Sequence, residues 1–135
     1  MTYEVVREIE FCYGHRLLNY SGKCKNLHGH NGLAVIKIAS NELDNLGMVI
    51  DFTKIKSTVA NWINDTLDHK LILCKTDPLI PALNANNEVI YLMDTNPTAE
   101  NIAKLIFNYA FKQNIDVTEV ILWETKSCYA SYKNT

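Results

Sequence analysis

An α+β domain is the fold class this sequence predicts, and three observations predict it. Apolar residues alternate at period two near the N-terminus, then recur at helical spacing in two later stretches. The segments run strand, strand, helix, helix, strand, strand, an order that suits a sheet with its helices packed together. No internal repeat or linker divides the 135 residues, so residues 1–135 are read as one domain of ordinary size, long enough to bury a core without staples.

Composition narrows the function classes. Hydrophobic residues at 47% against 21% charged describe a soluble globular chain, and a net charge of −2 supplies no basic field for nucleic acid. No apolar run approaches the roughly 20 residues of a membrane helix. Met1-Thr2-Tyr3-Glu4 lacks the build of a signal peptide, so the expected location is cytoplasmic. Cys12, Cys24, Cys74 and Cys128 contain no CxxC pair, which argues against a cysteine zinc site or a thioredoxin-type motif. Structural disulfides are not expected either. Cys12, Cys74 and Cys128 are read as small buried hydrophobes.

Residues 3–13 read as a strand, with Val5, Ile9 and Phe11 on one face, Arg7 breaking the pattern, and Glu4, Glu8 and Glu10 mostly opposite. His15 follows at its end. Residues 17–27 carry loop chemistry in Asn19, Ser21, Gly22 and Asn26. A second strand, antiparallel to the first, spans 28–40. Asp51 is placed to cap an amphipathic helix over about 53–67, with Ile55, Val59, Trp62, Ile63 and Thr66 on its apolar stripe. Residues 71–96 are less regular, with Pro78 and Pro81 interrupting them and a short strand over 88–93. Pro97 or Thr98 opens a second helix. Its core stripe is Ile102, Leu105, Ile106, Tyr109 and Ala110, widened by Phe107 and Phe111. Val117 to Trp123 reads as a third strand buried on both faces, and 127–132 as the last. Open sheet edges call for a cover, so a homo-oligomer is expected.

The chemistry concentrates early. Three of the four histidines, His15, His28 and His30, lie within residues 15–30. In an extended chain His28 and His30 point to one face, so the two imidazoles can converge and His15 can join them from the neighbouring strand end. Three nitrogen ligands with one open position suit a catalytic zinc better than a structural one. An ordinary surface or capping role is the competing reading, strongest for His15 taken alone. Cys24 sits in a loop flanked by Lys23 and Lys25, which favour its thiolate. It can serve as ligand, nucleophile or proton acceptor, or have no role. Asp68 can orient the adjacent His69 as a carboxylate orients a triad imidazole, although a helix C-terminus favours histidine for electrostatic reasons alone. Glu124 ends an apolar strand, either solvated or facing a pocket, where it could pair an amidine-like N–H edge in bidentate fashion.

Together these pieces resemble the 6-pyruvoyltetrahydropterin and 6-carboxytetrahydropterin synthase family. The matching stretches are Phe11-Cys-Tyr-Gly-His15-Arg-Leu, Cys24-Lys-Asn-Leu-His28-Gly-His30, Gly47-Met-Val-Ile-Asp-Phe52, Leu67-Asp68-His69, Asn96-Pro-Thr-Ala-Glu-Asn101 and Trp123-Glu124-Thr125. The resemblance implies a tunnelling fold, an antiparallel four-stranded sheet with two helices on one face, oligomerising into a barrel, commonly a hexamer of two trimers. It implies zinc on His15, His28 and His30, and Cys24 as catalytic cysteine with Asp68 and His69 as acid–base partners across a subunit interface. Glu124 looks like the pterin anchor, with Thr125 and Thr98 lining its pocket. Three residues between Cys24 and His28 resemble the bacterial carboxy-type synthases, whereas animal pyruvoyl synthases carry a longer gap. The implied substrate is 7,8-dihydroneopterin triphosphate, its triphosphate attracted by Lys23 and Lys25. The implied products are triphosphate, acetaldehyde and 6-carboxy-5,6,7,8-tetrahydropterin, a precursor of queuosine-type deazapurines. A pyruvoyl-type elimination and a zinc-containing pterin binder without turnover are the alternatives. Tyr13-Gly14 departs from the pattern, since the family often has small residues before the first histidine.

Overall fold

The computed structural model describes residues 1–135. Its organising element is a long hairpin. β1 (Tyr3–His15) and β2 (His28–Ser40) pair antiparallel over their whole length, from Tyr3 opposite Ser40 to His15 opposite His28. β5 (Val117–Trp123) adds antiparallel to β2, and β6 (Tyr129–Lys133) to β5. This four-stranded antiparallel unit is the sheet expected from the sequence.

The sheet goes further than that expectation. β3 (Lys70–Cys74) pairs parallel with the end of β1, and β4 (Ile90–Met93) pairs parallel with β3. The sheet is therefore six-stranded and mixed, in the order β4-β3-β1-β2-β5-β6. The correction has a local cause. β3 is only 5 residues long, too short for period two to declare itself, whereas β4 falls within the short strand expected over 88–93. A short helix, α2 (Ile80–Ala85), carries Pro81 in its first turn and joins them.

α1 begins at Phe52–Ile55, widens into a π-helical turn over Lys56–Ala60 and continues through Asn61–Thr66. Asp51 caps it by accepting from the Thr53 N–H at 2.9 Å. α3 (Ala99–Lys112) is capped by Thr98. Ile55, Val59 and Ile63 of α1, Leu67 just past its end, and Ile102, Ala103, Ile106, Phe107 and Ala110 of α3 are buried in one cluster with Ile9, Phe11, Tyr13, Ala34, Ile36, Val120 and Leu122 of the sheet. The odd residues of β1 face these helices. Phe111 does not widen the α3 stripe: it is 63% exposed, because its 100° step past Ala110 turns it from the sheet. Ile121 and Trp123 are half-buried where Val120 and Leu122 are fully covered, so β5 has one packed face rather than two.

Candidate metal centre and its surroundings

The hairpin register assembles the histidine cluster. His15 and His28 are directly opposed, and His30 opposes Tyr13, so all three imidazoles rise from the helix-side face at the loop-joined end of β1 and β2. Their ring centroids lie 4.5, 5.0 and 5.1 Å apart. His15 Nδ1 donates to the Pro97 carbonyl at 2.7 Å and His28 Nδ1 to the Asn26 carbonyl at 2.7 Å. A carbonyl only accepts, so each Nδ1 carries the proton and each Nε2 keeps a lone pair.

Those lone pairs meet. His30 Nε2 is 3.2 Å from His15 Nε2, and His28 Nε2 is buried without a partner. Two imidazole nitrogens about 2.05 Å from one tetrahedral zinc stand about 3.3 Å apart. Without a cation, His30 Nε2–H can donate to His15 Nε2, but the buried His28 Nε2 is orphaned. The three-nitrogen donor set therefore fits a divalent metal with one side left open. His15 is held neutral well into acid: burial pushes its pKa down to about 4, against the opposing Pro97 bond, and His28 and His30 add to the fall. Glu124 occupies the open side. It follows Trp123 on β5, and its Oε1 lies 3.7 Å from His15 Nε2 and 3.8 Å from His30 Nε2.

The Asn96–Asn101 motif now has a physical reading. Pro97 supplies the carbonyl that orients His15. Asn96 clamps the loop after β1, accepting from Leu18 N–H at 2.9 Å and donating to its carbonyl at 3.0 Å. Asn101 donates to the Asn96 carbonyl at 2.9 Å. The Thr98 hydroxyl is spent on the helix cap, accepting from Asn101 N–H at 3.2 Å. Thr125 lies in the exposed β5–β6 turn, where it accepts from Ser127 N–H at 3.3 Å.

Asp68 and His69 form a second constellation. His69 Nδ1 and Asp68 Oδ2 are 2.8 Å apart, so the carboxylate orients the ring as expected. Burial works against the charged Asp68, but the Cys12 N–H and His69 outweigh it, and its pKa falls below the ordinary value. His69 takes a left-handed backbone, φ 59°, a costly conformation for a residue with a Cβ. Its N–H donates to the Cys12 carbonyl at 2.7 Å, which pins the strained residue at the end of α1. The thiol facing this pair is Cys12, with Sγ 3.6 Å from Asp68 Oδ1 and 3.4 Å from His69 Nε2.

Cys12 is thus no buried hydrophobe. It is half-buried and hydrogen-bonded, Cys128 is exposed, and only Cys74 is buried as expected. An even position in β1 turns Cys12 away from the face that carries Tyr13 and His15. Cys24 stays on the short turn Lys23–Lys25, where its carbonyl accepts from Leu17 N–H at 2.9 Å. One chain therefore does not join Cys24 to Asp68 and His69.

Sequence reasoning also passed over Tyr13. It is 3% exposed, and its ring lies 5.2 Å from that of His15 and 5.7 Å from that of His30. Burial raises its phenol far above the usual value, and the Glu124 carboxylate adds to the rise. Its departure from the small residues of the resembled family was the available signal.

Comparison with known proteins places this arrangement. The family model described as 6-pyruvoyl tetrahydropterin synthase matches residues 4–135. A protein named 6-carboxy-5,6,7,8-tetrahydropterin synthase from Rickettsia conorii is 44% identical over 130 residues, 91% of this chain and 94% of the relative. One of the same name from Haemophilus influenzae is 32% identical over 140 residues, 97% and 99% of the two chains. Among solved structures, an uncharacterized protein from Wolinella succinogenes superposes with a TM-score of 0.83 at 25% identity, over 100% of this chain and 99% of that one. The 6-pyruvoyl tetrahydropterin synthase of Caenorhabditis elegans gives 0.73 at 26% identity, over 100% and 97%. Matched along nearly its whole length, the chain belongs to the 6-pyruvoyl tetrahydropterin synthase family.

Proposed function

We propose that the chain is a zinc-dependent 6-carboxy-5,6,7,8-tetrahydropterin synthase. It takes 7,8-dihydroneopterin triphosphate and releases acetaldehyde and triphosphate. The observation that carries this reading is the convergence of the His15, His28 and His30 side chains beside the Glu124 carboxylate, in a chain 44% identical to a relative of that name. A metal held by the three histidines supplies Lewis acidity towards a ligand oxygen.

The chain's own residues do the rest. Glu124 accepts hydrogen bonds from the N–H edge of the pterin and fixes its side chain towards the histidines. His69, turned by Asp68, takes and returns protons at its outward nitrogen. The Cys24 thiol is the second proton-transfer group. It comes from a neighbouring copy, since the chain alone holds it apart from Asp68 and His69, and the functional protein is a homo-oligomer, a hexamer in this reading. Thr98 and Thr125 sit at the margins of the pterin pocket, and Lys23 and Lys25 attract the triphosphate.

Incubation with 7,8-dihydroneopterin triphosphate, with acetaldehyde and pterin products read by mass spectrometry, tests this reading. Acetaldehyde together with 6-carboxytetrahydropterin is the expected result. Pterin turnover without acetaldehyde makes the chain a 6-pyruvoyltetrahydropterin synthase, the activity named for the Caenorhabditis elegans neighbour. Binding without turnover refutes an enzymatic role and leaves a pterin-binding protein.

A further inference from the structure

Tyr13 is built into the centre and then left with its hydroxyl unused. The side chain is 3% exposed, yet its oxygen makes no hydrogen bond of full geometry, and only the Glu124 carboxylate stands close enough to act on it, an arrangement that folded chains avoid unless something else satisfies the group. The ring cannot swing aside to find one. Phe11 stacks on it at 5.2 Å, His15 stands edge-on at 5.2 Å and His30 flanks it at 5.7 Å.

Gly32 explains how the ring fits. It opposes Phe11 on β2, on the same face as Tyr13, and a Cβ there would lie 3.0 Å from Tyr13 Cε1. The missing side chain opens a slot over the sheet. Glu124 borders the same slot from the other side. Leu33 pairs with Trp123, so the next residue, Glu124, falls beside Gly32 on the helix-side face. Phenol and carboxylate thus approach each other across the gap left by a glycine. The carboxylate oxygen is also the group that stands 3.7 and 3.8 Å from two histidine nitrogens.

We propose that the Tyr13 hydroxyl is a specificity-determining contact, donating a hydrogen bond to the heteroaromatic ligand that Glu124 holds beside the three histidines. The identity of that ligand as a pterin rests on the function proposed above. A phenol is protonated at neutral pH and offers one donor. With Glu124 engaged by the ligand's N–H edge, a ring edge rich in nitrogen and oxygen offers the acceptor for this donor. A family member with a small residue at this position lacks the contact, so it distinguishes this chain's site from that of such relatives.

The test is Tyr13→Phe in the zinc-loaded full chain, which removes one oxygen and keeps the ring. Binding of 7,8-dihydroneopterin, which lacks the triphosphate, is followed by pterin fluorescence, alongside melting temperature and zinc stoichiometry. The expected result is a Kd about tenfold weaker, the loss of one hydrogen bond. The ligand-free melting temperature rises by a few degrees, because an unpartnered buried hydroxyl has gone, and zinc stoichiometry stays unchanged. Unchanged affinity in the variant overturns this inference alone and assigns the hydroxyl to a buried water. Weaker binding with a lowered melting temperature also overturns it, since that pair marks a structural tyrosine. Failure of the unaltered chain to bind any pterin overturns both this inference and the function on which it rests.

Discussion

His15 should make the metal-free chain acid-sensitive in a defined window. Its pKa is lowered from 6.5 to about 4 in the folded state, chiefly by burial. Between those values the unfolded chain binds a proton at this site and the folded chain does not, so unfolding becomes more favourable as pH falls. The contribution is fully present above pH 6.5 and lost as pH drops towards 4. The gap corresponds to about 3 kcal/mol, of which about 2 kcal/mol is gone by pH 4.5. With a urea slope of about 1–3 kcal/mol per molar, the midpoint falls by about 1–2 M. The comparison is His15→Asn, whose side-chain amide keeps a donor near Pro97 but does not titrate in this range. Chelated wild-type and variant are unfolded in urea at pH 7.0 and 4.5, at one protein concentration. The variant should lose less stability than the wild type by that 2 kcal/mol. Parallel losses refute the reasoning, because they assign the acid sensitivity to groups other than the buried imidazole.

Thr98→Ala removes the α3 cap and should cost about 1 kcal/mol, lowering the melting temperature by about 3–5 °C in differential scanning calorimetry. Asp77→Ala strands the half-buried Arg16, which now donates its Nε–H to Asp77 at 2.8 Å. The expected loss by urea denaturation is about 2–3 kcal/mol, below the cost of breaking a fully buried pair because Arg16 reaches water. If Cys24 works with Asp68 and His69 of another copy, then Cys24→Ala and His69→Ala chains, each inactive alone, should regain activity when unfolded and refolded together. Random mixing leaves about one quarter of the interfaces with both groups intact, so about a quarter of wild-type turnover is the ceiling, and none at all refutes a shared site.

Long-range periodicity carried most of the fold. β1, β2, α1 and α3 each offer at least a dozen residues of consistent pattern; β1, β2 and α1 lie within two residues of their expected spans, β1 running on to His15, and α3 opens at its expected Thr98 cap. The capping chemistry was equally local, so Asp51 and Thr98 were readable. The failures share a cause. β3 exists because β1 continues to His15 and offers it a parallel edge, a fact about a distant partner rather than about 70–74, while β4, expected as a strand over 88–93, pairs with β3 in turn. Likewise Cys12 reads as an ordinary strand cysteine, and only the left-handed turn at His69 brings the Asp68–His69 pair onto its thiol.

The site divides along the same line. The histidines were legible because their spacing on two adjacent strands fixes which face they share, whatever the rest of the chain does. The groups that orient them are mostly backbone carbonyls, of Pro97 and Asn26, and a carbonyl leaves no mark on residue identity. What the sequence could register was the apparatus that holds the Pro97 carbonyl still: Asn96 clamping Leu18, Thr98 capping α3 and Asn101 tying Asn96. Of these, Thr98 was readable as a cap, but Asn96 and Asn101 entered the reading as a family motif without a physical task. Their hydrogen bonds show that the motif acts on His15 through the backbone, one step removed from the metal position. Tyr13 is the reverse case, a side chain in contact with the centre that no motif announced. A departure from a family pattern at a buried position beside a ligand set is therefore as informative as a match, because the space it fills has to be made elsewhere, here at Gly32.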